Sequence, residues 1–144
     1  MQNQPPILLV DDDPDAVELT LLAFRRHGIL NDIAVARDGA EALEQLFGAD
    51  GRAPGPLPAI VILDLNLPKV MGIDVLKRIR STPRTAMLPV VVLTTSSEEG
   101  DVLASWSNGC NAYVQKPVSF DKFLGAASTL GMFWLMLNVR PPAA

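Results

Sequence analysis

The sequence is short of several things at once. It has one cysteine, Cys110, in 144 residues, so no intrachain disulfide can form, which fits a reducing compartment. Basic residues are few: 12 Lys and Arg stand against 16 Asp and Glu, giving a net charge of −4. That balance, with a pI near 4.8, disfavours a nucleic-acid partner, whose phosphate backbone needs clustered cations. Long apolar runs are missing too. The longest, Met132 to Leu137 (MFWLML), is far too short to span a bilayer. The first residues, MQNQPP, have neither the basic region nor the apolar core of a secretory signal. A soluble, cytoplasmic protein with a single domain over residues 1–144 is the expectation, and no membrane partner is expected.

What is present is a hydrophobic fraction of 49%, enough for one sizeable core. The organising stretch is Ile60 to Pro68, IVILDLNLP, in which an apolar run ends abruptly in Asp64 and a proline turn follows. Such a run, rich in branched residues, reads as a strand buried on both faces. Asp64 then emerges at the rim of a sheet, where a carboxylate is costly to desolvate unless a cation or a reaction needs it.

The same pattern recurs along the chain. Ile7 to Val10 ends in Asp11, Asp12 and Asp13, and Asp13-Pro14 is a good N-cap and first-turn pair for a helix. That helix carries Val17, Leu21 and Phe24 on one face and closes at His27-Gly28, where a cation is favoured by the helix end. Asp32 to Ala36 reads as a second strand and Gly39 to Phe47 as a second helix. Residues 48–58 (GADGRAPGPLP) are dense in Gly and Pro and form a loop longer than the usual helix-to-strand connection. A third helix is expected from Gly72 to Ser81, a fourth strand from Val90 to Leu93 before Thr94, and a fourth helix from Glu98 to Asn108. A fifth strand, Ala112 to Gln115, ends at Lys116-Pro117, and a last helix opens at Ser119 and runs to about Leu137. Five alternating βα units imply an α/β fold, a parallel sheet covered by helices on both faces.

In a doubly wound sheet, ligands bind beyond the carboxyl ends of the strands. The polar residues at those ends are Asp11, Asp12, Asp64, Thr94 and Lys116. Three crowded carboxylates repel one another unless a cation joins them, and oxygen ligands at a wet rim suit Mg²⁺. A strand-end carboxylate, a hydroxyl, an ammonium and Mg²⁺ are together the parts of a phosphoryl-transfer site.

Four segments, ILLVDDDP, ILDLNLP, VVVLTTS and YVQKP, in this order and at these spacings, resemble the receiver domains of two-component response regulators over nearly the whole chain. The resemblance implies a flavodoxin-like fold of five strands in the order 2-1-3-4-5 with five helices. It implies that Asp64 accepts a phosphoryl group from a histidine kinase, and that Asp11 and Asp12 hold Mg²⁺. Asn66 would lend its backbone carbonyl to the metal, and Thr94 and Lys116 would contact the phosphoryl group. Tyr113 would be the aromatic switch, and the Lys116-Pro117 bond would be cis. The Gly/Pro-rich insertion, LDLNLPK, PVVVLTTS and the late FWL further resemble the single-domain regulators that partner bacterial phytochromes.

Blander readings stand beside these. Asp13 reads as a helix cap, His27 as a structural residue rather than a phosphodonor, and Cys110 as an inert small residue. The 48–58 loop is either a tolerated surface loop or a partner contact. Of the alternatives, a phosphatase of the haloacid-dehalogenase type also uses a strand-end Asp. Its Asp-x-Asp-x-Thr/Val motif, however, meets Asp15 at the fifth position here, and the Asp13-Pro14 helix start does not suit it. A non-phosphorylated adaptor would lack part of the constellation, and no part is missing. The chain is therefore expected to be no enzyme beyond its own phosphorylation and dephosphorylation.

The last helix carries a further expectation. Phe120, Phe123, Leu124, Ala127, Leu130, Trp134 and Leu137 recur at helical spacing as one buried stripe, yet from Met132 onward the helix is apolar all round. The surplus apolar face, with Phe133 and Met136, predicts a homodimer built on the last helix and the adjoining fifth strand.

Overall fold

The computed structural model describes residues 4–51, 53–117 and 119–142. Strand β1 (Ile7–Val10) lies between β2 (Ile33–Ala36) and β3 (Ile60–Leu63); β4 (Val90–Thr94) and β5 (Ala112–Gln115) complete a five-stranded sheet in the order β2-β1-β3-β4-β5. Every pairing is parallel, with Ile7 opposite both Ile33 and Ile60, Val61 opposite Val90, and Thr94 opposite Gln115. The crossovers are helices α1 (Pro14–Arg26), α2 (Gly39–Phe47), α3 (Gly72–Ser81) and α4 (Glu99–Ser107); α5 (Phe120–Gly131) follows β5.

The central strands are apolar without alternation because both faces of the sheet are covered. Ile7, Leu9, Ile60, Ile62, Val91 and Leu93 point to one side, against Val17 and Phe24 of α1 and Phe123, Ala127 and Leu130 of α5. Leu8, Val10, Val61, Leu63, Val90 and Val92 point to the other, against Ala42 and Leu46 of α2 and Val75, Leu76 and Ile79 of α3. Helix starts follow their caps. The Asp13, Asp38 and Ser119 side chains accept from the backbone N–H groups of Asp15, Glu41 and Lys122 respectively. His27 closes α1, its N–H turned back on the carbonyls of Arg25 and Phe24, ahead of Gly28 at φ +69°.

Two arginines brace the end of the sheet remote from the carboxyl rim. Arg80 donates to the carbonyls of Gly109 (2.8 Å), Ala86 (3.1 Å) and Leu88 (2.7 Å) and to Asn111 Oδ1 (2.9 Å). Arg84 donates to the carbonyls of Leu46 (2.8 Å) and Gly55 (2.9 Å), which ties the Gly/Pro-rich loop to the body of the domain at Gly55.

The structure corrects the sequence reading at the end of the chain. The last helix is not α-helical to Leu137: α5 ends at Gly131 and a π-helical segment, Met132–Leu137, continues it. There the Asn138 N–H reaches back to the Phe133 carbonyl at 2.7 Å, the i→i+5 bond of a widened turn. The wider turn shifts the buried stripe. Trp134 and Leu135 pack on the core, whereas Leu137, expected inside, is 73% exposed. Phe120, also expected inside, is 57% exposed, because it sits in the first turn of α5, beyond the rim of the sheet. The Lys116-Pro117 bond is trans, as are all peptide bonds among the described residues. Trans is the intrinsically favoured form even before proline, by about 0.5–1 kcal/mol, and with it Lys116 already reaches its partners. Smaller shifts, such as β2 starting at Ile33 and β4 extending to Thr94, move an element end by about one residue, as frayed ends do.

Candidate functional site

Because β1 and β3 are adjacent and in register, the residues that follow them lie side by side. The ladder continues one residue past the strands: the Asp11 N–H donates to the Ala36 carbonyl (3.0 Å), the Asp64 N–H to the Val10 carbonyl (3.0 Å) and the Lys116 N–H to the Thr94 carbonyl (2.6 Å). These bonds fix where the three side chains leave the sheet. Lys116 then reaches across β4 and β3, its Nζ 2.7 Å from Asp11 Oδ2 and 2.9 Å from Asp64 Oδ2. All three are almost buried, at 6%, 2% and 7% exposure. Charges held out of water at this level persist only when paired and hydrogen-bonded.

The remaining lone pairs are partly used. Asp11 Oδ1 accepts from the Asp13 N–H at 3.0 Å, and Asp64 Oδ1 from the Asn66 N–H at 3.3 Å. Thr94 is fully buried, and its hydroxyl oxygen faces the Ser96 N–H at 3.5 Å. Tyr113, half-buried on β5, donates its hydroxyl to the Ser96 carbonyl at 2.8 Å. The expected site residues of four different strands thus meet at one rim: Asp11, Asp12, Asp64, Thr94 and Lys116, with Asn66 and Tyr113 at its margins.

Electrostatics leave the site short of positive charge. Burial pushes the Asp11 carboxyl above its ordinary value, outweighing the hydrogen bonds from Lys116 and the Asp13 N–H that pull it down. Burial works to lower Lys116, but the Asp11 and Asp64 carboxylates outweigh it and hold the ammonium above its ordinary value. One ammonium therefore serves two buried carboxylates, and a third, exposed Asp12, stands beside them. One oxygen from each of Asp11, Asp12 and Asp64 falls within 4.8 Å of the others. Hard oxygen donors, surplus negative charge and an opening to solvent through Asp12 fit a small divalent cation that keeps part of its water.

The β3–α3 loop is shaped to keep this rim compact. A Cβ at Gly72 would lie 2.2 Å from the Asp64 carbonyl oxygen, so only glycine lets α3 start against the backbone of Asp64. At Gly39 a Cβ would lie 1.9 Å from the Val70 carbonyl oxygen, so the start of α2 closes on the same loop. Between them Lys69 takes a left-handed φ of +67°, and its ammonium lies 3.5 Å from Asp38. Sequence reading places Gly72 at a helix start but not against the Asp64 backbone, and it gives no sign of the bond in which Ser96 Oγ donates to Asp101 Oδ2 at 2.5 Å. Both depend on contacts across elements, and local spacing carries no sign of them.

A doubly wound five-stranded sheet of order 2-1-3-4-5 with this acid, hydroxyl and ammonium set at its carboxyl rim is the architecture of a phosphorylation-based signalling domain. Residues 7–128 match the response regulator receiver domain, and the chain belongs to that family. Among relatives, it is 40% identical over 138 residues to the probable methanogenesis regulatory protein FilR2 of Methanothrix harundinacea, covering 96% of this chain and 88% of that protein. It is 34% identical over 144 residues to the response regulator Rcp1 of Synechocystis sp., covering 99% of this chain and 98% of that protein. The Mn²⁺-bound structure of Rcp1 superposes with a TM-score of 0.89, at 33% identity, over 96% of this chain and 99% of that one. The bacteriophytochrome response regulator RtBRR is 48% identical and gives a TM-score of 0.72 over 96% of this chain and 85% of that one. Among the described residues no helix is long and apolar enough to cross a membrane.

Proposed function

We propose that the chain acts as a single-domain response regulator, cytoplasmic, in which Asp64 is the phosphoryl acceptor. The observation that carries this reading is the position of Lys116 Nζ, 2.7 Å from Asp11 and 2.9 Å from Asp64, with Asp12 beside the pair. An Asp64 oxygen attacks the phosphorus of a phosphohistidine on the kinase. The new O–P bond forms as the N–P bond breaks, and the released imidazole takes up a proton. Lys116 stays protonated throughout and turns from the Asp64 carboxylate to the phosphoryl oxygens, while Thr94 offers its hydroxyl to another of them. Asp11, Asp12, Asp64 and the Asn66 backbone carbonyl are the groups that would hold Mg²⁺. Bound there, the cation supplies positive charge against the carboxylates and the incoming phosphoryl group. Tyr113 is the residue through which the occupied site is reported to the surface. The chain turns over nothing but its own phosphoryl group, and its output is a binding event, without nucleic acid.

The 48% identity to a bacteriophytochrome response regulator supports a bacterial phytochrome as the kinase. A homodimer is supported by the outer face of the π-helical segment, where Phe133, Met136 and Leu137 are 49%, 59% and 73% exposed. An apolar patch of that kind at the end of an element is best covered by a second copy, through this segment and β5. The test is phosphotransfer from a panel of autophosphorylated histidine kinases in Mg²⁺. A phytochrome kinase should label the protein fastest, with a rate that changes between light and dark. Equal rates from every kinase would remove the phytochrome assignment, and failure of every donor to label the protein would remove the receiver function.

A further inference from the structure

Helix α4 is tied to the sheet in an unusual way. Of its nine residues only Ser105 is buried, and the Ser105 hydroxyl has no hydrogen-bond partner. Its large apolar residues face out: Leu103 is 64% and Trp106 52% exposed. A covering helix is normally held by an apolar stripe, and this one has none. At its N-terminal end it is held instead by a side-chain bond, in which Ser96 Oγ donates to Asp101 Oδ2 at 2.5 Å. That is the short distance of a hydroxyl-to-carboxylate bond, among the stronger hydrogen bonds available to a protein. The Glu98 N–H also donates to Ser96 Oγ, at 3.3 Å.

Ser96 is fixed on its other sides by the site. Its carbonyl accepts the Tyr113 hydroxyl at 2.8 Å, and its N–H faces the Thr94 hydroxyl at 3.5 Å. One residue therefore links the first turn of α4, the phosphoryl-contacting threonine and the aromatic residue on β5. We infer that Asp101 is a positioning residue: acting through Ser96, it sets the β4–α4 loop so that the Thr94 hydroxyl and the Tyr113 ring are both in place before phosphorylation. The carboxylate itself touches neither the phosphoryl acceptor nor the cation ligands. This inference rests on the receiver reading for its kinetic consequence, but its structural half stands apart from it.

The single tyrosine makes the test direct, because a protein labelled with ¹³C-tyrosine gives signals from Tyr113 alone. Removing the latch in Asp101→Ala or Ser96→Ala should move the Tyr113 ring signals in the unphosphorylated protein. Labelling by acetyl phosphate in Mg²⁺ should slow severalfold, with Mg²⁺ affinity unchanged. The double variant should be no slower than either single one, since both break the same bond. Asp101→Asn loses the charge but keeps an oxygen to accept from Ser96, and should recover most of the rate and the wild-type ring signals. The inference is overturned if Tyr113 signals in Asp101→Ala and Ser96→Ala coincide with wild type, or if Asp101→Asn is as impaired as Asp101→Ala. If the wild-type protein takes no phosphoryl group at all, the receiver reading fails, and the ring signals alone decide whether the latch exists.

Discussion

The Lys116 ammonium donates to Asp64 Oδ2 at 2.9 Å, joining the end of β5 to the end of β3 across the intervening strand. The same nitrogen is 2.7 Å from Asp11, so one cation compensates two buried carboxylates. Removing it leaves both without a counter-charge. Lys116→Ala should destabilise the metal-free protein by roughly 1–3 kcal/mol, the cost of a buried polar group left unpaired. Denaturant unfolding in EDTA measures this, and wild-type stability in the variant would contradict the pairing. The direction of the Lys116 shift adds a sign. A folded value above the unfolded 10.5 means its contribution is complete below pH 10.5 and is lost as pH rises beyond it.

Divalent cation should stabilise the folded chain, because the ligands converge only there. At a Mg²⁺ concentration about a hundredfold above Kd the gain is about 2.7 kcal/mol. Asp12→Ala removes an exposed carboxylate from the trio and should weaken Mg²⁺ binding and shrink the thermal shift, with little effect in EDTA. Equal Mg²⁺ titrations for the two proteins would exclude Asp12 from the ligand set.

Cys110 is buried, and burial pushes its thiol above the ordinary value of 9.0. Native protein at pH 8 should react with Ellman's reagent far more slowly than a free thiol, and unfolded protein at the normal rate. Because the unfolded chain ionises first, stability should also fall as pH rises past 9.0, less steeply in Cys110→Ala. Rapid labelling of the native protein would show the thiol to be accessible.

The exposed face of the π-helical segment predicts a concentration-dependent dimer. Phe133→Glu with Met136→Lys should convert it to monomer in sedimentation velocity, at unchanged helix content. A wild-type monomer at micromolar concentration, with and without a phosphoryl mimic, would end that proposal.

The strands and the rim were legible because each carries its own sign. An unbroken apolar run such as Ile60 to Leu63 can only be buried on both faces, and the first charged residue after it marks the carboxyl end. Four strand ends, those of β1, β3, β4 and β5, taken with the doubly wound rule, assemble Asp11, Asp64, Thr94 and Lys116 without coordinates. The end of the last helix was not legible, because MFWLML is equally apolar whether its turns are closed by i→i+4 or i→i+5 bonds. Phe120 was misplaced because helical spacing gives a face, not the point at which the underlying sheet stops. The Lys116-Pro117 bond was misread because its expected cis form came from the family resemblance, and no residue in this sequence specifies it. The Ser96–Asp101 bond depends on how α4 sits over the β4–α4 loop.

The central claim, that Asp64 takes the phosphoryl group, is tested by Asp64→Asn. The exchange is nearly isosteric and keeps one oxygen to accept from Lys116, giving up only the longer bond from the Asn66 N–H at 3.3 Å, so the fold should persist. Wild-type protein incubated with acetyl phosphate and Mg²⁺ should gain the mass of one phosphoryl group, stable in acid and lost in base, with peptide mapping assigning it to Asp64. Asp64→Asn should gain none. Labelling of Asp64→Asn to the wild-type extent would contradict the account.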